Sequence, residues 1–368
     1  MRTGPLFCVP APCRMPLTAA AARPIIGGGE TTARRKAALP PGRRFQKGEF
    51  ACRIDRRCGP RGSTRLKSRS GAGIPAVRVV GGRPGKTLVV TAGVHGDEYV
   101  AVEAVRTLLR VLRPEPLAGQ VIFVPVVNRG GFYAGTYLVP EDGENLNRCF
   151  PGDPAGSMTR RIAHALEQAL YPQADFLLDL HSGSPYETME PLVFFPVGAG
   201  EAVENAVRPA AQGLSLTYMV QSYARDGLYS WAAQRGIPAM LVERGGGGRW
   251  SAAEAEACRR NILETMAFLG ICAGTPNAAA PLEICDAHYE TAAERGFWYC
   301  RKTAGEPFRA GELLGTVEDE AGAAVQALYA PFDGVVLYNT HALGAAPGLP
   351  LMAYGRPCAE PGGDKLPR

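Results

Sequence analysis

Two histidines stand where this chain could build a metal centre. His95 lies in Gly93-Val94-His95-Gly96-Asp97-Glu98, just past the apolar run Thr87–Ala92, and His181 lies in Asp179-Leu180-His181-Ser182, at the end of Phe176–Leu180. A His-x-x-Glu spacing at the start of a helix returns Glu98 to the side of the imidazole. One His and one Glu offer a nitrogen and an oxygen to a divalent ion such as zinc; His181, from a neighbouring strand, offers a third ligand and leaves a fourth position for water. Three protein ligands with one open position is the arrangement that activates water. The same spacing also describes a helix-start histidine with a capping acid, so the chemistry depends on the two strand ends converging. Between them runs a glycine-rich stretch, 128–152, carrying Asn147-Arg148. A guanidinium fork beside an amide suits bidentate recognition of a carboxylate, although an arginine capping a surface helix would look alike.

These residues need a frame that brings strand ends together. Thr87–Ala92, Val121–Val127, Phe176–Leu180 and Ala239–Val242 are short apolar runs that read as buried strands. Tyr99–Leu112, Thr159–Leu170 and Ala252–Leu269 carry helical spacing, and Pro114, Pro172 and Gly270 punctuate their ends. The alternation predicts an α/β domain over 75–275 with a mixed, mostly parallel sheet flanked by helices, whose sites form at the carboxyl ends of strands. Residues 276–288, with Pro281 and three consecutive alanines, read as a linker. From 289 to 356 short strand-like pieces alternate with glycine turns, which predicts a small all-β sandwich followed by a tail, 357–368.

Composition excludes several classes. The 368 residues are 46% hydrophobic, too apolar for a wholly disordered chain, yet no run of about 18 apolar residues offers a membrane span. The formal charge of +5 is misleading. Residues 1–70 hold 16 Lys and Arg against three acids, so the remainder is net acidic, which argues against nucleic acid as a partner. That leader lacks any sustained period and reads as disordered or as a spurious extension, with targeting and nucleic-acid or surface binding as alternatives. None of the ten cysteines forms a Cys-x-x-Cys pair, so reduced, mostly structural thiols in a cytoplasmic protein are expected. His164, His288 and His341 have no partner pattern, and Cys149 reads as packing.

The motifs, in kind and order, resemble the succinylglutamate desuccinylase/aspartoacylase family, related to the zinc carboxypeptidases: His95-x-x-Glu98, then Asn145-Leu146-Asn147-Arg148 trailed by Phe150-Pro151-Gly152, then Asp179-Leu180-His181-Ser182. The resemblance spans about residues 80–355 and points to the bacterial N-acyl amino acid deacylases, including the diaminobutyrate deacetylases of ectoine breakdown. It implies a zinc-carboxypeptidase-like fold with one zinc ion per chain on His95, Glu98 and His181. Asn147 and Arg148 would hold the substrate carboxylate. Glu243, in Ala239-Met240-Leu241-Val242-Glu243, matches the family's general base, and its place after an apolar strand and before four glycines agrees with that role.

Two departures from the family stand out. Asn145 occupies a position where relatives carry an Asp that orients a zinc-bound His; its amide oxygen can still accept an imidazole N–H. Tyr137 replaces an Arg thought to polarise the substrate carbonyl, a role that would pass to Arg129, to Arg244 or to the zinc. The C-terminal unit resembles a biotinyl/lipoyl-like sandwich, but no Lys lies between Lys302 and Lys365, so no lipoylation or biotinylation is expected. Such a unit would wall the entrance to the site or mediate a homo-oligomer. The expected activity is zinc-dependent hydrolysis of the amide of an N-acyl amino acid or diamine derivative, a small-molecule substrate. A carboxypeptidase-like peptide hydrolase and a non-catalytic metal- or ligand-binding module on the same fold are the alternatives.

Overall fold

The structure is a computed structural model; it describes residues 73–275, 277 and 279–358, together with two three-residue strands upstream. Those two, β1 (Cys52–Ile54) and β2 (Leu66–Ser68), pair antiparallel within the stretch expected to be a disordered leader. The rest of that leader lies outside the described residues.

The order that follows is β3 (Val77–Val80), β4 (Arg83–Ala92), α1 (Val100–Val111), β5 (Ala118–Val124), α2 (Arg129–Ala134), α3 (Met158–Leu170), β6 (Phe176–His181), β7 (Glu187–Met189) and β8 (Leu192–Pro196). Next come α4 (Glu201–Gln212), β9 (Tyr218–Ser222), α5 (Leu228–Gln234), β10 (Ala239–Glu243), α6 (Ala252–Phe268) and β11 (Leu282–Thr291). The chain closes with β12 (Gly296–Cys300), β13 (Pro307–Phe308), β14 (Leu313–Glu318), β15 (Ala324–Tyr329), β16 (Gly334–Thr340), β17 (Gly344–Ala345) and β18 (Pro350–Pro357).

Apolar sequence decides the centre. Leu88, Val89, Val90, Leu177, Leu178, Met240 and Val242 are fully buried, because β4, β6 and β10 lie side by side in parallel with helices on both faces. One face packs against α1, α4 and α6 and the other against α3 and α5. Ser157 and Ser251 cap α3 and α6 by accepting the Arg160 and Glu254 N–H groups. β5 ends earlier than the expected Val127 because Pro125 has no N–H for the ladder. The segment 192–234 supplies β8, α4, β9 and α5, which sequence pattern alone did not reveal; α4 even carries Pro209 in its last turn.

The linker expected at 276–288 is corrected. Most of it forms β11, which pairs in parallel with β9 through Leu282↔Tyr218 and Ile284↔Val220. Only Ile284 of β11 is buried, so the strand lacks the continuous apolar run of the central strands. β11 in turn pairs with β18, β18 with β16 and β16 with β13, so one sheet of twelve strands runs from the α/β layer into the C-terminal region. A separate sheet, β15-β14-β12-β17, lies over the end of it around Phe308, Leu314, Trp298 and Val317. β11, β18, β16 and β13 therefore extend the main sheet, while β12, β14, β15 and β17 form the separate one.

The expectation of reduced thiols is also corrected. Cys285 on β11 and Cys358 after β18 are joined as a disulfide with Cα atoms 5.2 Å apart. β11 and β18 are hydrogen-bonded neighbours there, so residues far apart in sequence meet across the pair. Cys149, Cys258, Cys272 and Cys300 are free. No helix among the described residues is long and apolar enough to cross a membrane.

Leu178 on β6 sits between Val90 and Met240 and is fully buried. Leu178→Ala is expected to cost about 3 kcal/mol of unfolding free energy, read as a lowered denaturant midpoint with little change in slope.

Candidate active site

The carboxyl ends of β4, β6 and β10 supply the site. In parallel register His181 lies opposite Glu243, so two strands deliver an imidazole and a carboxylate side by side on one face. β4 ends at Ala92 opposite Leu180, and the loop that follows carries His95 and Glu98 back over His181. Gly96 makes this return possible: a Cβ there would collide with the backbone of Gly131 and Phe132 at the start of α2.

His95, Glu98 and His181 converge and are all buried. Glu98 Oε1 lies 2.6 Å from His95 Nδ1, and Glu98 Oε2 lies 2.9 Å from His181 Nδ1. The far nitrogens are held from behind. Asn145 Oδ1 is 3.0 Å from His95 Nε2 and also accepts the Asn147 N–H at 2.9 Å, which fixes the oxygen, not the nitrogen, toward the ring. Asp179 Oδ2 is 3.2 Å from His181 Nε2, while its other oxygen accepts the Thr91 hydroxyl at 2.7 Å. With both Nε2–H groups donated outward, both Nδ1 atoms are turned toward Glu98, where a proton or a divalent ion can be shared with the carboxylate.

Electrostatics match that geometry. Burial raises the Glu98 pKa, but the two imidazoles outweigh it and bring it down to about 2. Burial disfavours charge on His181, yet Glu98 and Asp179 more than offset it and hold the imidazole well above its ordinary value. Two Nδ1 donors and one carboxylate within mutual reach fit a divalent ion of the zinc class. Glu243 adds a second sign of fit: its Oε2 is buried and has no hydrogen-bond partner among the described residues. Burial, with help from Glu98 and Glu187 and against His181, pushes the Glu243 carboxyl well above the usual carboxylate range.

These groups open into one cavity of about 570 Å³, a size suited to a small molecule. Asn147 and Arg148 line it from the single 3₁₀ turn Leu146–Arg148. Asn147 Oδ1 accepts the Leu228 N–H at the start of α5 at 2.9 Å, which turns its Nδ2 to the open side. Arg148 gives Nη1 to the Asn147 carbonyl at 2.8 Å. Tyr137 stacks flat on His95, ring centroids 3.7 Å apart. Burial, then the charges of Glu98, Glu187 and Glu243, holds its hydroxyl well above its ordinary pKa, so it stays a donor.

Neither arginine considered as a substitute for the family's carbonyl-polarising Arg reaches the cavity. Arg244 turns away to Asn261 Oδ1 at 3.2 Å and the Ser215 carbonyl at 2.9 Å, and Arg129 lies over the Tyr133 ring. Cys149 packs beneath the turn, where burial and Glu144 push its thiol up to about 11; such a thiol is not a nucleophile.

Sequence reading gave no role to Asp179 or Glu187, and it expected a C-terminal wall at the entrance without the residues that build it. Asp179 was legible in principle, since two residues before His181 on a strand means the same face. Glu187 sits on a three-residue strand with no apolar pattern, and Asp286, Tyr289 and Tyr338 reach the cavity only because the C-terminal strands continue the sheet.

Two outcomes follow. Gly96→Ala should cost about 1–3 kcal/mol and lower zinc retention after dialysis, because the His95–Glu98 loop must shift. Zinc titrated into the metal-free protein should release protons, with tighter apparent binding at pH 8 than at pH 6, since the ion must displace the proton that Glu98 and Asp179 hold on His181. Calorimetry in two buffers of different ionisation enthalpy measures that release.

Known proteins resemble the chain in sequence and in fold. Residues 84–269 match the model of the succinylglutamate desuccinylase/aspartoacylase catalytic domain. The chain is 32% identical over 281 residues to the N-alpha-acetyl-L-2,4-diaminobutyric acid deacetylase of Halomonas elongata, covering 72% of this chain and 81% of that one. The crystal structure of a succinylglutamate desuccinylase/aspartoacylase from Rhodobacter sphaeroides superposes with a TM-score of 0.75 at 30% identity, covering 85% of this chain and all of the other. The product-bound ectoine utilization protein EutE (DoeB) from Ruegeria pomeroyi gives a TM-score of 0.75 at 25% identity, covering 84% of this chain and all of the other. The strands that carry the His95–Glu98–His181 cluster lie within the matched region, and the chain belongs to the succinylglutamate desuccinylase/aspartoacylase family.

Proposed function

We propose that the protein is a zinc-dependent amidohydrolase that removes a small acyl group from an N-acyl amino acid or diamine derivative. The observation that carries this reading is Glu243: a buried carboxylate oxygen without a hydrogen-bond partner among the described residues, beside a His95–Glu98–His181 cluster, in a cavity that also holds Arg148. The family membership and the deacetylase and desuccinylase names of its relatives support amide hydrolysis as the reaction class.

His95, Glu98 and His181 would hold the ion, which when bound supplies Lewis acidity toward the amide carbonyl and the attacking water. The remaining work falls to the chain's own residues. Arg148 and the Asn147 Nδ2 bind the substrate carboxylate, which fixes the amide relative to the cluster. Glu243, whose proton affinity is raised by burial, takes the proton from the attacking water at its unpartnered Oε2 and passes it to the nitrogen of the leaving amine. Tyr137, a protonated hydroxyl with no hydrogen-bond partner among the described residues, is the neutral donor nearest in kind to a carbonyl-polarising group. Products are a carboxylic acid and a free amine, and the atoms of one water are divided between them. The C-terminal strands narrow the cavity with Asp286, Tyr289 and Tyr338, which favours small substrates over a peptide C-terminus.

Glu243→Gln in the zinc-loaded protein is expected to lower kcat by about 10²–10⁴-fold while zinc content and melting temperature stay at wild-type values. A panel of N-acetyl, N-succinyl and N-formyl amino acids and diamines supplies the assay. If the zinc-loaded wild type hydrolyses none of them, a non-catalytic binding module on this fold is the better account.

A further inference from the structure

A covalent bond sits at the fork where the main sheet passes from the α/β layer into the C-terminal strands. β9 pairs with β11 only through Leu282–Ile284, and β16 pairs with β18 only as far as Gly355. Beyond those points, among the described residues, the segments 285–286 and 356–358 have no other strand paired with them and hold each other. That hold is thin. The ladder shifts register between Ile284 and Asp286, so Cys285 has no partner opposite it, and Pro357 has no N–H to give. The Cys358 N–H reaches the Glu283 carbonyl at 2.8 Å, and the Cys285–Cys358 disulfide closes the gap.

The place matters because the same stretch lines the cavity. Cys285, Asp286 and Ala287 form part of its wall, together with Gln221 from β9. Both cysteines are partly exposed, so a small thiol can reach the bond. Gln221 Nε2 stands 3.7 Å from Cys285 Sγ and 3.9 Å from Cys358 Sγ, an N–H donor within reach of either sulfur once that sulfur carries charge. The carboxylate beside the pair, Glu283, is neutralised by Arg208 Nη1 at 2.6 Å and 2.5 Å, so its charge is not set against a thiolate. The free thiols compete poorly. Burial pushes Cys149 up to about 11 and Cys258 up to about 12, and it raises Cys272 and Cys300 as well, which leaves little thiolate at those positions.

We propose that the Cys285–Cys358 bond is a redox-operated latch on the cavity wall: a dithiol reductant opens it by thiol–disulfide exchange, and the closed form binds ligand more tightly than the open one. A reductant thiolate attacks one sulfur of the bond, forming a mixed disulfide and releasing the other cysteine as a thiolate, which takes up a proton. The second thiol of the reductant then displaces the remaining cysteine and leaves as a cyclic disulfide. Two electrons and two protons pass to the protein, and two cysteine thiols result. Ile284, buried with Val220 and Leu337, keeps the sheet together when the bond opens, while 285–287 and 356–358 loosen. The His95–Glu98–His181 cluster and Glu243 belong to the ends of β4, β6 and β10, so opening acts on ligand binding and not on the chemical step. Only the KM readout rests on the amidohydrolase reading of the site.

The test uses the zinc-loaded full chain, oxidised and after equilibration with dithiothreitol, beside a Cys285→Ser/Cys358→Ser double variant treated the same way. Reduction of the one bond should add two titratable thiols per chain. It should raise KM for a hydrolysed N-acyl amino acid by about three- to tenfold, the cost of ordering one or two loosened side chains. kcat should not change, and reoxidation should restore the first KM. The double variant should show the raised KM in both conditions, which separates the latch from any loss of zinc to the dithiol. Hydrogen exchange should quicken in peptides covering 284–288 and 354–358 and not in 176–181. The proposal is overturned by a bond that the dithiol leaves closed in the folded protein, by a KM unchanged on reduction, or by equal exchange in the two redox states. If the double variant does not fold, or no substrate is hydrolysed, the exchange comparison on the wild type decides the latch; absence of hydrolysis counts against the amidohydrolase reading alone.

Discussion

Glu98 is a carboxylate taken out of water between two imidazoles, and that burial is tolerable only because both Nδ1 atoms lie within 2.9 Å of its oxygens. An unpaired charge at that depth would cost several kcal/mol. The three groups are therefore mutually dependent, and the surrounding architecture serves to hold them together. β4 and β6 must be adjacent and parallel so that the loop after one can reach the end of the other. Gly96 must lack a side chain so that this loop can pass the backbone of α2. Asn145 and Asp179 must stand behind the rings, because a ring free to rotate would not keep Nδ1 turned inward. Asp179 is itself a buried charge, and Thr91 on the next strand satisfies its second oxygen. A chain of hydrogen bonds thus runs from a strand interior to the open face of the site, each member satisfied by the next.

The continuous sheet has a functional consequence. Since β11 joins β9 edge to edge, the C-terminal strands are fixed to the α/β layer through backbone hydrogen bonds, and side chains from both regions meet over the same cavity. β7 strengthens this seam by pairing with β16 only six residues after His181. A loosely tethered unit would leave the space above the cluster open to large ligands. Here the wall is part of the sheet, and the pocket keeps a definite size and charge.

Position 137 holds a tyrosine where the resemblance to the family implies an arginine. Its ring lies flat on His95 while its hydroxyl remains a neutral donor. The nearby arginines are committed elsewhere, Arg244 to a buried network with Asn261 and Ser215. Of the arginines considered, Arg148 is the one that lines the cavity.

Much of the site was legible in the linear chain, for a physical reason. Ligand spacing within a turn, as in His95 and Glu98, and the placement of polar residues at the ends of apolar runs, as in His181 and Glu243, are local properties that backbone geometry translates directly into direction. The central strands and the helices α1, α3 and α6 were legible on the same ground, because burial on both faces or on one stripe leaves a periodic trace. What only the tertiary structure decided were relations across long separations. Strand order places His181 beside Glu243, and an irregular stretch becomes β11 once β9 and β18 offer it partners. Cys285 meets Cys358 across that pairing, and Glu187 lines the cavity from a strand, β7, that forms only because β16 pairs with it. Such pairings depend on which edges and charges remain unsatisfied after the rest of the chain has folded, and no local pattern of residues encodes that.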